Sequence, residues 1–156
     1  MEQFGGTYML KFGFAVLSAL LLTACATGAQ RQFESINQGM QSTNESAKAC
    51  FDNVYYSADN APIKDKIPYD PTSPTMEQMT DKSKATAVQV KALKATFPQI
   101  QTCRQDLLLR VNSITPSISP IFLEAWQAND KLRISLIERK ITWGEYVMSS
   151  KDVALN

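Results

Sequence analysis

Three cysteines and four scattered carboxylates are the residues of this chain best suited to chemistry. The thiols are Cys25, Cys50 and Cys103. A thiolate can act as a nucleophile, bind a metal or form half of a disulfide. None of the three has the C-x-x-C spacing that a zinc or redox site would use. Asp106, Glu124, Asp130 and Glu138 follow one another through the C-terminal third. Two such carboxylates on either side of a glycosidic bond can cleave it. No motif surrounds any of them, so solvated surface charge is the first reading and a carboxylate-based hydrolase an alternative. The chain contains no His. That excludes Ser-His-Asp and Cys-His nucleophile pairs, His-bearing metal sites and the usual switch near neutral pH. There is no Gly-rich phosphate loop and no nucleophile motif. The expectation is no catalytic residue, no metal and no cofactor.

Cys25 differs from the other two cysteines in its surroundings. Upstream lie Lys11 and an apolar run, Phe12 to Leu22, and then the small residues before the thiol. A positive residue, a short apolar segment and a small-residue cut site make a secretory signal. Starting at Met9 would give Met9-Leu10-Lys11, a tidier charged beginning than Met1-Glu2-Gln3. The sequence Leu22-Thr23-Ala24-Cys25 resembles the lipobox of bacterial lipoproteins. The resemblance covers only the first 25 residues. It implies that residues 1–24 are a cleaved signal peptide and that the Cys25 thiol carries diacylglycerol. It also implies that the freed amino group is acylated. Ala26, not Asp, follows the lipidated position, which by the same resemblance favours the outer membrane over the inner. Two other readings stay open: an uncleaved membrane anchor over Phe12 to Gln30, and plain secretion. A span needs about 20 largely apolar residues, and Phe12 to Leu22 falls short of that.

With Cys25 assigned to lipid, Cys50 and Cys103 are left in an oxidising envelope compartment, where two remaining cysteines pair. A Cys50–Cys103 disulfide is the expectation, with two buried free thiols as the alternative. Of 156 residues, roughly 130 remain after cleavage, enough for one modest domain. Sixteen Lys and Arg against fifteen Asp and Glu give a net charge of +1. Nothing in that balance argues for nucleic acid or for an electrostatic grip on anionic lipid.

The elements that must hold these residues read as helices throughout, so the fold class is all-α. The expected architecture is a bundle of four main helices, a short C-terminal helix and one long Pro-rich crossover. Residues 25–30 read as a lipidated tether and 31–156 as the bundle domain. A first helix is predicted over about Arg31 to Ser57. Its inner face is Phe33, Ile36, Met40, Thr43, Ala47, Cys50 and Val54, which step by three and four. Pro62, Pro68, Pro71 and Pro74 forbid regular helix from Ala58 to Pro74. Ile63, Ile67 and Tyr69 should hold that crossover against the bundle. A second helix is predicted from Ser73-Pro74, with Met76, Met79, Ser83, Thr86, Val90, Leu93 and Phe97 inward. Its solvated side would carry Lys84, Lys91 and Lys94. Pro98 closes it and opens a third helix, whose inner face is Ile100, Cys103, Leu107, Val111 and Ile114. Ser119-Pro120 opens a fourth, with Phe122, Ala125, Asn129, Leu132 and Leu136 inward. Asn129 on that face reads as a core amide fixing register. Thr142-Trp143-Gly144-Glu145 matches a capping box, with Ile141 and Tyr146 as its hydrophobic staple. A fifth helix should follow, to about Lys151. Trp126 and Trp143 read as core anchors whose indole N–H groups find partners.

A disulfide between the end of the first helix and the start of the third would set the topology. Both cysteines would lie roughly 8 to 10 Å from those helix ends. The crossover would therefore bring the chain back, with the second helix parallel to the first and the third antiparallel to it.

These readings imply a membrane-anchored envelope lipoprotein, held through lipid on Cys25, whose body is a non-enzymatic protein-binding or structural module. Its partner would be another envelope protein. The alternatives are a ligand carrier with an apolar cavity lined by Met40, Met76 and Met79, or the hydrolase above.

Overall fold

The computed structural model describes the backbone of residues 7–155 and the side chains of residues 28–155. The fold is all-α, a helical bundle, and no strand occurs among the described residues. Helix α1 runs Thr7–Tyr55, α2 Met76–Thr80, α3 Ala87–Ile114, α4 Ser119–Ile137 and α5 Trp143–Leu155. Short 3-10 helices cover Ala58–Ile63 and Pro116–Ile118. The described residues fall into two compact units, divided between Met40 and Gln41. The expected signal peptide, the Leu22-Thr23-Ala24-Cys25 sequence and the Cys25 thiol lie outside the residues whose side chains are described. Among the described residues, no helix is long and apolar enough to cross a membrane.

In the first unit, the residues expected to form a tether continue helically into α1. Phe33, expected inward, is 65% exposed, while Ile36 and Met40 are half-buried. Nothing in this stretch breaks a helix as proline would, and a helix stops only where a cap or a breaker acts.

The second unit begins with the rest of α1. Thr43 and Val54 are buried there, and Ala47 and Cys50 half-buried, on the predicted face. The helix stops at Tyr55 because the next residues take its carbonyls. The Asn60 amide donates to the Tyr55 carbonyl at 2.9 Å, and the Ser57 hydroxyl to that of Val54 at 2.8 Å. Ser57 also caps the following 3-10 helix. The crossover then lies on the bundle as expected: Ile63 is fully buried and Ile67 packs against the core.

Four boundaries differ from the sequence reading. The second helix does not start at Ser73-Pro74. Thr75 forms a capping box with Gln78 and opens only the five-residue α2. Met76, expected inward, is 71% exposed. Residues 81–86 are not helical, and a second capping box, Thr86 with Gln89, opens α3. Pro98 does not separate two helices either. It lies inside α3, which runs 28 residues through it. A single rod has one direction, so the reversal predicted between its two halves does not occur. The reason lies in packing. Ala92, Leu93 and Thr96 before Pro98, and Cys103 and Val111 after it, all face inward. Burial of that continuous stripe outweighs the proline's lost hydrogen bond. Finally, Ser119 is not the cap of α4. A Pro116–Ile118 turn leads in, and the Ser119 hydroxyl bonds to Asn112.

The core gathers Ile63, Leu93, Leu136, Trp143, Tyr146 and Val147, with Ile141 packed against it. α5 starts on the predicted capping box. Thr142 N–H donates to Glu145 Oε2 at 2.7 Å and Glu145 N–H to Thr142 Oγ1 at 3.2 Å. Its next N–H groups meet a neighbouring segment: Trp143 donates to the Ser83 carbonyl at 3.0 Å and Gly144 to that of Asp81 at 2.8 Å. The loose stretch 81–86 thus supplies acceptors to helix donors that would otherwise have none.

Candidate functional site

Cys50 and Cys103 form a disulfide, with Cα atoms 5.7 Å apart. It joins α1 to the middle of α3, with Cys103 fully buried. The pairing expected from the sequence is present, although the third helix whose first turns it was to involve is the second half of α3.

The acidic residues do not converge. Asp130 pairs with Arg104 at 2.7 Å, Asp106 with Arg110 at 2.8 Å and Glu138 with Lys140 at 2.7 Å. Glu124 is exposed beside Ile121 and Val153. No three His, Cys, Asp or Glu side chains gather as metal ligands would among the described residues. Met79 packs on the core and Met76 faces outward, so these two do not line a common cavity; Met40 is half-buried in the first unit. Trp143 is fully buried, with its indole N–H on Gln89 Oε1 at 3.2 Å. Trp126 is only half-buried, between Phe122 and the Arg104 guanidinium. The Asn129 amide donates to Ala125 of its own helix at 3.2 Å, so it does not fix register between helices. Lys84, Lys91 and Lys94 are exposed, and Lys84 donates to the Lys140 carbonyl at 2.9 Å.

What the fold does build is an aromatic cleft where α1 ends. The Tyr55-Tyr56 pair closes the helix, and the crossover carries Tyr69 back against it between Pro68 and Pro71. Tyr55 meets the edges of Tyr56 and Tyr69 with ring centroids 5.1 Å away in each case. Tyr56 and Tyr69 remain 63% and 49% exposed. Tyr69 is held in place by its hydroxyl, which donates to Asp52 at 2.5 Å. Lys48, one helical turn before Asp52, donates to the other carboxylate oxygen and lies over the Tyr69 ring. The Lys64 ammonium sits 4.6 Å from the Tyr56 centroid, a cation–π contact. Hydrogen bonds from Lys48 and Tyr69 hold the Asp52 carboxyl below its ordinary value, and Asp52 in turn pushes Lys48 up. Burial raises the Tyr55 hydroxyl above its usual range. Beneath the tyrosines lies a cleft of about 520 Å³, walled mostly by Phe51, Val54, Ile67, Pro68, Pro71 and Ile100, with Arg133 at one side.

No family model, no curated protein and no solved structure matches this chain.

On the other side of Tyr55 is a larger, polar hollow of about 790 Å³. Lys66 pairs there with Asp81 at 2.7 Å. Burial raises the Asp81 carboxyl, but Lys66 and the Ser83 hydrogen bonds outweigh that and hold it at about 2.

The sequence reading missed the cleft. Its signal was the Tyr55-Tyr56 dipeptide with Pro68-Tyr69-Asp70-Pro71, an aromatic framed by residues that cannot form a helix. Those residues were read for their effect on chain path and not for the surface they make.

Proposed function

We propose that the protein is a lipid-anchored lipoprotein of the bacterial cell envelope, with a non-enzymatic helical body that binds an envelope protein. The observation that carries this is the Cys50–Cys103 disulfide. Such bonds persist in oxidising compartments. The N-terminal segment ending at Cys25 is a signal that would deliver the chain there. With one cysteine for lipid and two for the bridge, every thiol has a use. Ala26 favours the outer membrane. Attachment by several acyl chains is stable where a single chain is marginal. The dispersed carboxylates, three of the four in ion pairs, weigh against glycoside hydrolysis, which needs two acids facing one bond. Exposed Tyr56 and Tyr69 beside an apolar cleft are the residue type that dominates protein recognition.

The test is the mass of the protein extracted from membranes. The expected product begins at Cys25 and carries diacylglycerol and an amide-linked acyl chain, and Cys25→Ala abolishes both. An intact leader, or a mature terminus without acyl mass, overturns the reading. For the body, photo-crosslinkers at Tyr56 and Tyr69 in intact cells should trap one defined envelope protein that a crosslinker at exposed Met76 does not.

A second reading, a carrier of an apolar ligand, is favoured by one observation, the 520 Å³ cleft. It falls within the size range of small-molecule sites.

A further inference from the structure

We infer that this cleft ends in a carboxylate-binding hollow built on Arg133, Ser150 and Asn129, and that its ligand is a small amphipathic acid, an apolar body bearing one carboxylate. The inference rests on the carrier reading above and names its ligand class. A smaller hollow of about 220 Å³ shares the wall of Ile67, Pro68, Pro71, Ile100 and Arg133 with the apolar cleft. The two spaces are therefore neighbours: both have mostly apolar walls, and the smaller one adds the polar side chains Arg104, Asn129 and Ser150 beside Arg133.

Three polar groups of the smaller hollow lack a full set of partners. Arg133 is half-buried, and its Nη1 donates to two neutral oxygens, Leu93 O at 3.2 Å and Thr96 Oγ1 at 3.4 Å. The guanidinium also lies over the Phe97 ring, 5.9 Å from its centroid, but it forms no ion pair with any described residue. A guanidinium drawn partly out of water without a counter-charge is unfavourable, and a carboxylate fits its fork of donors. The Ser150 hydroxyl is fully buried with no hydrogen-bond partner, alone in this among the described side chains. A buried hydroxyl without a partner costs free energy that a ligand oxygen would recover. Asn129 uses one amide N–H on Ala125 and has a second to offer.

Charge and backbone chemistry narrow the ligand. Arg104 also borders the hollow, but Asp130 already neutralises it. One uncompensated cation matches a monoanion, not a phosphate dianion. An extended peptide would need backbone partners along the cleft. Pro68 and Pro71 have no N–H, and the Ile67 N–H is bonded to the Ile63 carbonyl. The wall therefore suits an alkyl or aromatic body better than a polypeptide.

The full-length protein, reconstituted in phosphatidylcholine vesicles, is exposed to a photoactivatable medium-chain alkyl carboxylic acid and, separately, to its methyl ester. Labelled positions are read by peptide mass spectrometry. The acid is expected to label Ile67, Ile100 and Tyr69, with the ester about ten-fold weaker at those positions. Arg133→Gln should cut labelling by a similar factor. Ser150→Ala should cut it several-fold without lowering thermal stability, a split that a merely structural serine would not give. Equal labelling by acid and ester, or unchanged labelling in a folded Ser150→Ala and Arg133→Gln pair, overturns the inference. So does displacement of the acid by a peptide with a free C-terminus but not by an unlabelled alkyl acid. The acyl mass on Cys25 is measured on the same sample, so loss of the ligand site and loss of the lipoprotein reading are distinguished.

Discussion

Trp143 and Gln89 meet through one hydrogen bond, the indole N–H to Oε1 at 3.2 Å, between residues on α5 and α3. The same oxygen accepts the Thr86 backbone N–H at 3.0 Å, which closes the capping box of α3. One acceptor thus serves the largest buried side chain and the start of the longest helix in the second unit. Gln89→Ala should destabilise by about 2–3 kcal/mol, since a buried indole and a helix cap both lose their partner. Gln89→Glu keeps the acceptor and should cost less than about 1 kcal/mol. Urea unfolding of the two variants checks the difference, and equal costs would sink the shared-acceptor account.

Gly144 is a matter of space. A Cβ there would lie 2.5 Å from the Met79 carbonyl oxygen and 2.9 Å from that of Asp81. Both are backbone atoms, and the Asp81 carbonyl is also the acceptor of the Gly144 N–H. Gly144→Ala should lower stability by about 2–3 kcal/mol despite alanine's better helix propensity. Thermal unfolding would show a fall in Tm, and a rise would contradict the close approach.

Arg139 ends α4 with φ of 58°. The N–H of Lys140 returns to the Ser135 carbonyl at 2.8 Å and that of Arg139 to Leu136 at 3.0 Å. This is the Schellman pattern, whose left-handed residue is usually glycine. An L side chain there costs about 1–2 kcal/mol. Arg139→Gly should therefore stabilise by about 0.5–1 kcal/mol, after glycine's greater freedom in the unfolded chain is subtracted. Denaturant midpoints read the sign directly.

Asp81 gives the fold an acid limit. Its carboxyl is held at about 2, below the ordinary 3.8. The unfolded chain takes up that proton first as pH falls. The stabilisation is thus complete above about pH 4 and is lost as pH drops towards 2. It amounts to about 2 kcal/mol. Asp81→Asn should flatten that part of the stability profile. Urea midpoints at pH 6 and pH 2 check this, and an undiminished acid loss in the variant would contradict it.

Removing the bridge should cost more than any of these. With its cysteines 53 positions apart in sequence, Cys50→Ser with Cys103→Ser should lose about 4 kcal/mol by the chain-entropy account. Unfolding of oxidised, reduced and doubly substituted protein measures it.

How much of this was legible in advance depends on the kind of signal. Local hydrogen-bonding patterns read well where they were sought: Thr142 and Glu145 form the box that their spacing announced. The same pattern at Thr86 and Gln89 was passed over, which displaced the start of α3. Pro98 was given too much weight. The stripe through Leu93, Ile100, Cys103 and Leu107 keeps its phase across the proline, and an unbroken phase is the mark of an unbroken helix. Met76 and Phe33 fit the helical spacing yet face outward, because period alone does not say which turns of a helix find something to cover them. The tyrosine cleft and the isolated Arg133 arise from contacts between distant segments, and no short stretch encodes them.

The bridge also fixes how the body would respond to mechanical load. A pull applied through the N-terminal end of α1 travels along the helix only as far as Cys50 before a covalent link hands it to the middle of α3. The tyrosines and most of the cleft wall, the crossover and the first half of α3 lie between the two bridged positions, outside the line of tension. A surface placed there would keep its shape while the rest of the chain bears the strain.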